Sequence, residues 1–456
     1  MKKLYLLASL LIFSSVSMSQ TIDISALYSQ NSQPSQCDFT SCYSQSDIMN
    51  SATASSFSSR ESFLNLFTAR QNIKVKMSQL LPSFNLRIDN VFNVFDYIPN
   101  LIGFIFPSNW FRLKESKLHA KAQEQSFIST IANQKNASQG LYLMLHQESI
   151  NAKIVFNHIH FAKQLLSLMQ ARYEYGDIAY EDIEELNAFI GFMSTDYSMQ
   201  KYLIKQIQLD MDYLVDNINI DLDAGPLNIK TPEYGEMIAL NADELLAPVL
   251  EAAPELKSLA YLAHAAKYSK KTRVYNFLTP DSDIDSALGF GTAANLRIAS
   301  SEIEQLEINR QMTQSELTKS LLLITNGITN SIALNASAHS IQRSLKYILT
   351  SLVDDFRVSS KIDINRFLSV LNDNLRAQFM INNSSHAYLQ SMANISRLLL
   401  NGPDYSEIAN LIPNSTTDID CYLRKENRKI KKAVENGELT ISDNLIFSKD
   451  ELAFCF

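Results

Sequence analysis

The sequence predicts a mainly α-helical protein with a small β part, built from very long antiparallel coiled-coil helices in two internal repeats. Apolar residues recur at heptad spacing over much of the chain, which is typical of helices packed against other helices. The same order of segments occurs twice. Gly and Pro number only 11 each among 456 residues, fewer than the turns of a large all-β protein need.

Residues 1–19 have the pattern of a secretory signal peptide. Lys2 and Lys3 precede an apolar run, Leu4–Phe13, and Ser17 and Ser19 fit the small-residue positions of a cleavage site. The run is too short for a membrane-spanning helix, and no Cys follows it directly. We therefore expect an exported protein whose residues 20–51 form a loose leader rich in Ser and Gln.

The composition and motifs argue against several functional classes. The formal net charge of −8 opposes binding to the phosphates of nucleic acid. The sequence has no glycine-rich phosphate loop, nucleophile elbow or HExxH motif, so we predict a non-enzymatic protein without a cofactor or metal. His158 and His160 lie two residues apart on a helix and face different directions, which favours a solvated surface over a metal site.

The first repeat, residues 52–220, is predicted to contain a helix, a strand pair and a long helical hairpin. Its long helix runs back from a break at Gly176 to near Ser108, roughly 100 Å at 1.5 Å per residue. A glycine between two long heptad patterns indicates an antiparallel turn. The heptad rows are Leu141, Leu145, Glu148, Ala152, Val155, Ile159, Ala162, Leu166, Met169 and Tyr173 before the break, and Ile183, Leu186, Ile190, Met193, Tyr197, Gln200, Ile204, Ile207, Met211, Leu214 and Ile218 after it.

The strand pair of the first repeat is predicted at residues 83–106, directly after Pro82. Aromatic and β-branched residues are dense there and favour two strands joined by a turn. Each strand has room for the 9–11 residues that cross a bilayer at a tilt. Because no segment after residue 19 resembles a transmembrane helix, entry into a membrane would require strands in a closed barrel.

The second repeat, residues 243–402, follows a linker at 221–242 and precedes a C-terminal extension at 403–456. Its heptad row comprises Leu334, Ala338, Ile341, Leu345, Ile348 and Leu352, and a break follows near Ser359. Between Pro280 and the helix start the chain is too short for two full strands. The shortened strand pair either borrows residues 273–278 and 286–298 from flanking helices or builds a reduced barrel.

Four cysteines, Cys37, Cys42, Cys421 and Cys455, lie in the terminal segments. Export to an oxidising compartment makes disulfides plausible, with three possible pairings. Two local bridges, Cys37–Cys42 and Cys421–Cys455, are the favoured pairing. The spacing does not suit a zinc site.

Three short motifs resemble the TolC-like outer-membrane efflux protein family. The segment LPSFNL at 81–86 is similar to the family's entry into its first strand, and Phe106-Pro107 is similar to the exit from its second. Around the break, Arg172, Tyr173, Gly176, Ala179 and Asp182 match an RY-x-x-G-x-x-S-x-x-D pattern, with Ala179 at the small-residue position. The resemblance covers roughly residues 52–402.

The resemblance implies a homotrimer whose strand pairs join in an outer-membrane β-barrel and whose helices form a tunnel in the periplasm. The implied function is passive export from periplasm to exterior in a tripartite efflux or type I secretion system. The implied partners are a periplasmic adaptor protein, an inner-membrane transporter and outer-membrane lipid. The alternative is a coiled-coil structural or interaction protein of the same fold that has lost conduction, which the shortened second strand pair favours.

The resemblance also implies a functional site at the periplasmic tips of the helical hairpins, where the adaptor docks. The residues expected there are Arg172, Gly176, Ala179, Asp182, Ser359 and Asn365. Ser359 replaces the tip glycine, and Asn365 stands where many relatives carry an aspartate. Nearby carboxylates at Glu181, Asp182 and Glu185 form either an acidic ring at the mouth or the N-terminal charges that a helix dipole favours.

Overall fold

The computed structural model describes residues 24–31, 43–81, 105–215, 230–232, 235–275, 290–358, 363–401, 405 and 408. The described residues form one 3-10 helix, Ile24–Asn31, and eight α-helices. The α-helices are α1 (Gln45–Ser55), α2 (Phe57–Ser78), α3 (Pro107–Glu174), α4 (Tyr180–Val215), α5 (Ala242–Ala252), α6 (Pro254–Tyr275), α7 (Phe290–Val358) and α8 (Ile364–Leu399).

The helices of the two halves have nearly equal lengths. Helices α2, α3 and α4 have 22, 68 and 36 residues, and α6, α7 and α8 have 22, 69 and 36. The halves differ in the connection before the long helix, which is residues 79–106 in the first half and residues 276–289, half as many, in the second. Residues 273–275 and 290–298 are helical, so the idea that strands borrow them is wrong.

Helix α3 is the central helix of the packing. It packs against α4, its partner in the first hairpin, and against α8 of the second hairpin, while α7 packs on α8. Helix α6 lies against both α3 and α7. Helices α4 and α7 therefore lie on the two flanks of the central α3–α8 pair.

Both hairpins contribute to one apolar cluster near the C-terminal ends of α3 and α7. Leu165 of α3, Leu186 of α4, Leu349 of α7 and Leu371 of α8 are each at most 1% exposed in this cluster. Leu27 of the N-terminal 3-10 helix is fully buried among them. Burial of this apolar surface is a large stabilising term that holds the two hairpins together at this end.

The leader predicted to be loose is partly helical and packed. Helix α1 begins at a capping box, in which the Ser44 hydroxyl accepts a hydrogen bond from the Asp47 amide and the Asp47 carboxylate accepts one from the Ser44 amide. Ile48 and Met49 are buried against neighbouring helices. Helices this short have too few turns to show a sustained apolar period in the sequence.

The described part of the linker also packs on the helices. The Lys230 amide donates to the Tyr43 carbonyl at 3.1 Å, and the Tyr142 hydroxyl donates to the Lys230 carbonyl. The Ile238 amide donates to the hydroxyl of Tyr388 at 3.0 Å. Residues of the C-terminal extension are described only at Tyr405 and Ile408, both buried beside α2 and α3.

The predicted apolar rows of the first hairpin are largely buried. Leu145, Val155 and Met169 on α3 and Met193 and Met211 on α4 are each at most 3% exposed. The row predicted on α7 behaves differently, since Leu334 and Ile341 are 42% and 44% exposed. Ala338 of the predicted row is buried, and other buried apolar residues of α7 lie outside that row, among them Leu321, Ile328, Leu349, Val353 and Phe356.

Apolar side chains on the flanking helices form two exposed rows at helical spacing. The α4 row comprises Phe192, Met199, Tyr202, Leu209 and Tyr213, between 49% and 77% exposed. The α7 row comprises Ile298, Ile308, Met312, Leu323, Leu334 and Ile341, between 42% and 62% exposed. Neither row is covered by the residues that the structure describes, and each follows one side of its helix.

The predicted strand residues 83–104 lie outside the described residues, and Phe106 is the residue that caps α3, followed by Pro107 at the first helical position. Within the described ranges, none of the helices has an apolar segment long enough to cross a membrane.

Candidate functional site at the hairpin tips

The turn at the tip of the first hairpin is organised by Gly176. This glycine has φ +80°, in the left-handed region that glycine adopts without a Cβ clash. The Gly176 amide donates to the Tyr173 carbonyl at 2.9 Å, and the Asp177 amide donates to the Arg172 carbonyl at 3.2 Å. This pair of bonds is a Schellman motif, which satisfies carbonyls at the end of α3. The break predicted at Gly176 is confirmed, and the left-handed conformation of this glycine is its physical cause.

Arg172 joins the tips of the two hairpins. Its guanidinium lies over the ring of Phe356, 4.5 Å from the ring centre, at a distance where a cation and an aromatic face attract each other. Phe356, near the end of α7, is 4% exposed, and Ile178 from the first turn is 9% exposed in the same apolar cluster. Buried apolar residues from both halves therefore pack beneath the tip, and the sequence motif did not reveal this contact.

The acidic residues lie at the start of α4. Glu181 and Asp182 occupy its first turn, and Asp182 is half-buried whereas Glu181 and Glu185 are exposed. Carboxylates at this position are favoured by the partial positive charge of the helix N-terminus. The arrangement also leaves Glu181 and Glu185 open to solvent, so both interpretations of the sequence fit it.

Of the other tip residues, Ala179 is exposed beside the turn and Asn365 is exposed in the first turn of α8. Asp363 caps α8, because its carboxylate accepts from the Arg366 amide at 3.0 Å. Ser359 lies outside the described residues, as do Cys37, Cys42, Cys421 and Cys455. The proposed disulfides and the second turn thus stay predictions.

The N-terminal 3-10 helix ties α3, α7 and α8 together behind the tips, and sequence reasoning missed it. The Tyr28 hydroxyl donates to the Asn374 side chain at 3.0 Å, and Gln378 donates to the Leu27 carbonyl at 3.2 Å. The Lys346 ammonium of α7 lies 4.8 Å from the centre of the Tyr28 ring. Burial raises the pKa of Tyr28 to about 12, so its hydroxyl stays protonated and able to donate.

His158 is buried, so its assignment to a solvated surface was wrong. Its Nδ1 donates to the Ile154 carbonyl at 2.8 Å, and its Nε2 accepts from Asn374 at 3.2 Å. Burial lowers the pKa of His158 to about 4, which keeps the ring neutral near pH 7. His160 lies two residues further along and is exposed, because the two histidines lie on different faces of the helix. A single buried position on an otherwise ordinary heptad pattern carries no sequence signal of its own.

A row of hydrogen bonds between α3 and α8, called here the polar seam, joins the two halves. Residue numbers rise along α3 as they fall along α8, as expected for antiparallel helices. The pairs and their distances are Asn133–Arg397 at 2.8 Å, Asn136–Asn394 at 3.0 Å, His146–His386 at 2.9 Å, Asn151–Asn382 at 2.8 Å and His158–Asn374 at 3.2 Å.

The histidine pair in the polar seam is neutral. His386 Nδ1 donates to the Asn382 carbonyl at 2.9 Å, which leaves its Nε2 to accept from His146 Nδ1. Burial, and then the neighbouring His386, lowers the pKa of His146 to about 4. Burial also lowers the pKa of His386.

The arrangement of long helices is shared with solved outer-membrane channels. The CmeC outer membrane channel of Campylobacter jejuni matches with a TM-score of 0.62 and 14% identity over 87% of this chain and 90% of that chain. The outer-membrane channel OprN matches with a TM-score of 0.62 and 13% identity over 84% of this chain and 96% of its own. The outer membrane protein VceC of Vibrio cholerae matches with a TM-score of 0.60 and 13% identity over 78% and 95%.

This chain has the fold of outer-membrane channel proteins. No protein-family model and no curated protein matches its sequence, so the likeness is carried by the structure. The expectation of a mainly helical, TolC-like fold is confirmed. At identities of 12–14% the likeness establishes the fold, and function is argued separately below.

Proposed function

We propose that this protein is the passive outer-membrane exit duct of a tripartite efflux or type I secretion system. In this proposal three copies assemble into a ring, the long helices extend into the periplasm, and the tips meet an adaptor protein that couples the duct to an inner-membrane transporter. The tip residues Arg172, Gly176, Ala179, Asp182, Ser359 and Asn365 would shape the mouth and the docking surface. What supports the proposal is the fold it shares with outer-membrane channels, together with the two exposed apolar rows.

The observation that carries the proposal is the pair of exposed apolar rows on α4 and α7. They lie on different flanks of the α3–α8 pair, so a copy that covers one row leaves its own second row free. Contacts of this head-to-tail kind close into a ring or continue into a fibre. Exposed apolar rows of this length are unfavourable in a monomer and are expected to be covered by other copies.

Equal hairpins favour closure of the ring. With 36-residue helices α4 and α8 and 68- and 69-residue helices α3 and α7, three chains would contribute six hairpins of the same length. Each long helix extends roughly 100 Å at 1.5 Å per residue. A closed ring of such hairpins would enclose a lumen suited to passage of solutes through the periplasm.

Reconstitution into planar bilayers tests the proposal. The purified protein is expected to give discrete conductance steps and to cross-link as a trimer. Tyr202→Glu, at a residue 69% exposed in the α4 row, is expected to abolish the trimer and the conductance. Ser194→Glu places the same charge on an exposed position of α4 outside the row and is expected to leave both unchanged.

The second candidate is a structural or interaction protein of the same fold without conduction. The short connection at residues 276–289 favours it, because it leaves half the chain length that the first half has for entering a membrane. A cross-linked trimer that gives no conductance steps would support this candidate over the channel. A monomer in mild detergent that resists cross-linking would contradict both.

A further inference from the structure

Positive charge is concentrated at the end of the helices that lies away from the tips. Three segments meet there: residues 70–78 of α2, 107–121 of α3 and 267–275 of α6, together called here the basic collar. The collar contains eleven Lys and Arg residues and one acidic residue, Glu115, in a chain of net charge −8. Arg70 and Arg273 have carboxylate partners outside it, Glu124 at 3.9 Å and Glu302 at 3.0 Å. Cations dominate the collar even after these pairs.

Aromatic contacts hold α3 and α6 side by side in the collar. The Phe111 ring lies 5.5 Å from the Tyr275 ring and 6.2 Å from the Tyr268 ring. The ammonium groups of Lys114 and Lys271 lie 5.7 Å and 5.2 Å from the centre of the Tyr268 ring. Lysines beside aromatic rings at a helix end are typical of segments that meet the polar surface of a bilayer.

A cavity of about 730 Å³ lies among α2, α3 and α6 within the collar. Its lining includes Lys76, Arg112 and Ser116, with the neutral polar residues Asn72 and Gln123. Two cations and several neutral hydrogen-bonding groups are a lining that suits a phosphate, since Lys and Arg both bind phosphate oxygens.

Ser116 shows that the cavity has an unused hydrogen-bonding group. Its side chain is 8% exposed, and its hydroxyl oxygen has no hydrogen-bond partner among the described residues. A buried hydroxyl without a partner is unfavourable, so rotation of the Ser116 side chain towards a ligand oxygen in the cavity would be favourable. Glu115 also lines the cavity, where its carboxylate lies 4.0 Å from His119 Nε2.

We propose that this cavity binds the phosphate of an anionic phospholipid headgroup, while the surrounding collar attracts the anionic lipid surface. The inference rests on the proposed function, because that function places this end of the helices at the outer membrane. Lys76 and Arg112 bind the phosphate oxygens, and Ser116 donates a further hydrogen bond. The other collar cations act through the field they add at the surface.

Fluorescence of Trp110 offers a direct test, because it is the chain's single tryptophan and lies 47% exposed in the collar. Detergent-solubilised full-length protein is titrated with dihexanoyl phosphatidylglycerol, dihexanoyl phosphatidylcholine and inorganic phosphate. Phosphatidylglycerol is expected to give a saturable change in Trp110 emission at concentrations where the other two give none. An equal response to inorganic phosphate, an equal response to phosphatidylcholine or no saturable response would each overturn the proposal.

Paired variants separate the cavity from the collar. Lys76→Gln with Arg112→Gln is expected to weaken phosphatidylglycerol binding about tenfold or more, because hydrogen bonds to charged groups are lost. Lys74→Gln with Lys117→Gln removes the same charge from exposed collar positions that do not line the cavity and is expected to weaken it only about twofold. Equal weakening by both pairs would contradict a specific site.

Planar-bilayer conductance is measured on the same proteins. Saturable binding without conductance would refute the channel alone, and conductance without binding would refute this inference alone.

Discussion

Helix α3 packs on α4 and on α8 by different physical means. Towards α4 it presents apolar residues, and buried positions such as Leu145, Ile159, Leu186 and Met193 lie in apolar clusters. Towards α8 it presents the polar seam of Asn and His side chains. One helix thus joins its hairpin partner by an apolar interface, and joins the other half of the molecule by apolar contacts to which a row of hydrogen bonds is added.

The difference follows from how each pair is connected. Helices α3 and α4 are joined by a turn at residues 175–179, which sets their register by itself, so apolar burial without directional preference is sufficient. Helices α3 and α8 are separated by much of the chain, and side chains must set their register. Hydrogen bonds are directional and are costly to leave unpaired when buried, so a shifted register would be penalised at every pair.

Acidification is expected to have the largest effect, and it acts on the polar seam. Burial lowers the pKa of His146 and His158 to about 4 from 6.5, so between these values the unfolded chain binds more protons than the folded one. The two neutral histidines stabilise the fold fully above about pH 6.5. As the pH falls towards 4, the free energy of unfolding decreases by up to roughly 3 kcal/mol for each histidine. Urea unfolding followed by circular dichroism at pH 7 and pH 4.5 measures the loss.

A seam without its histidine pair, in which His158 remains, is the control for that titration. The double variant His146→Gln, His386→Gln is expected to show a smaller difference between the two pH values, whereas His160→Gln, at an exposed position, keeps the full difference. If the double variant were as acid-sensitive as the parent, the His146–His386 pair would not be the sensitive element, and His158 or carboxylates elsewhere would be responsible.

Truncation in the apolar interface is expected to come next. Leu186 is fully buried in the cluster near the tips, and Leu186→Ala should reduce the free energy of unfolding by about 2–5 kcal/mol through lost burial and a cavity. Met144→Ala, at a residue of α3 that is 49% exposed, should cost less than about 1 kcal/mol. Similar losses from both variants would show that burial at the α3–α4 interface contributes little to stability.

Removal of one amide from the polar seam is expected to cost less. The Asn382 side chain donates to the Gln147 carbonyl at 2.9 Å and to the Asn151 side chain at 2.8 Å. Asn382→Leu should reduce the free energy of unfolding by about 1–3 kcal/mol, because it leaves buried acceptors unpaired. The control variant Asn330→Leu changes an exposed side chain of α7 and should cost about 0.5 kcal/mol. A neutral or stabilising Asn382→Leu would mean that an apolar seam serves equally well.

The smallest effects are expected from a pair of glycines, and they have opposite signs. Gly176 has φ +80°, so Gly176→Ala should lower the free energy of unfolding by about 1 kcal/mol. Gly191 lies inside α4 with open space where a Cβ would stand, so Gly191→Ala should raise it by about 0.5–1 kcal/mol. Thermal unfolding midpoints of the two variants on opposite sides of the parent would confirm that, of the two glycines, Gly176 alone is required for its conformation.

Patterns local in the chain were predictable from the sequence. The long helix from Pro107 to Glu174 and the turn at Gly176 follow from heptad spacing and from a glycine between two apolar rows. Tip residues such as Arg172 and Asp182 were located by a motif in the same stretch. Helical periodicity and glycine conformation depend on neighbouring residues only, so one sequence is sufficient to read them.

What the tertiary structure decided concerns contacts between distant segments. Helical spacing shows that a row on α7 is apolar, but only packing shows that Leu334 and Ile341 face outwards while Val353 is buried. The partners of Arg172 and of His158, namely Phe356 and Asn374, lie about 200 residues away along the chain. A contact of that kind depends on how whole helices are placed against one another, and that placement minimises the free energy of the entire fold rather than of any segment.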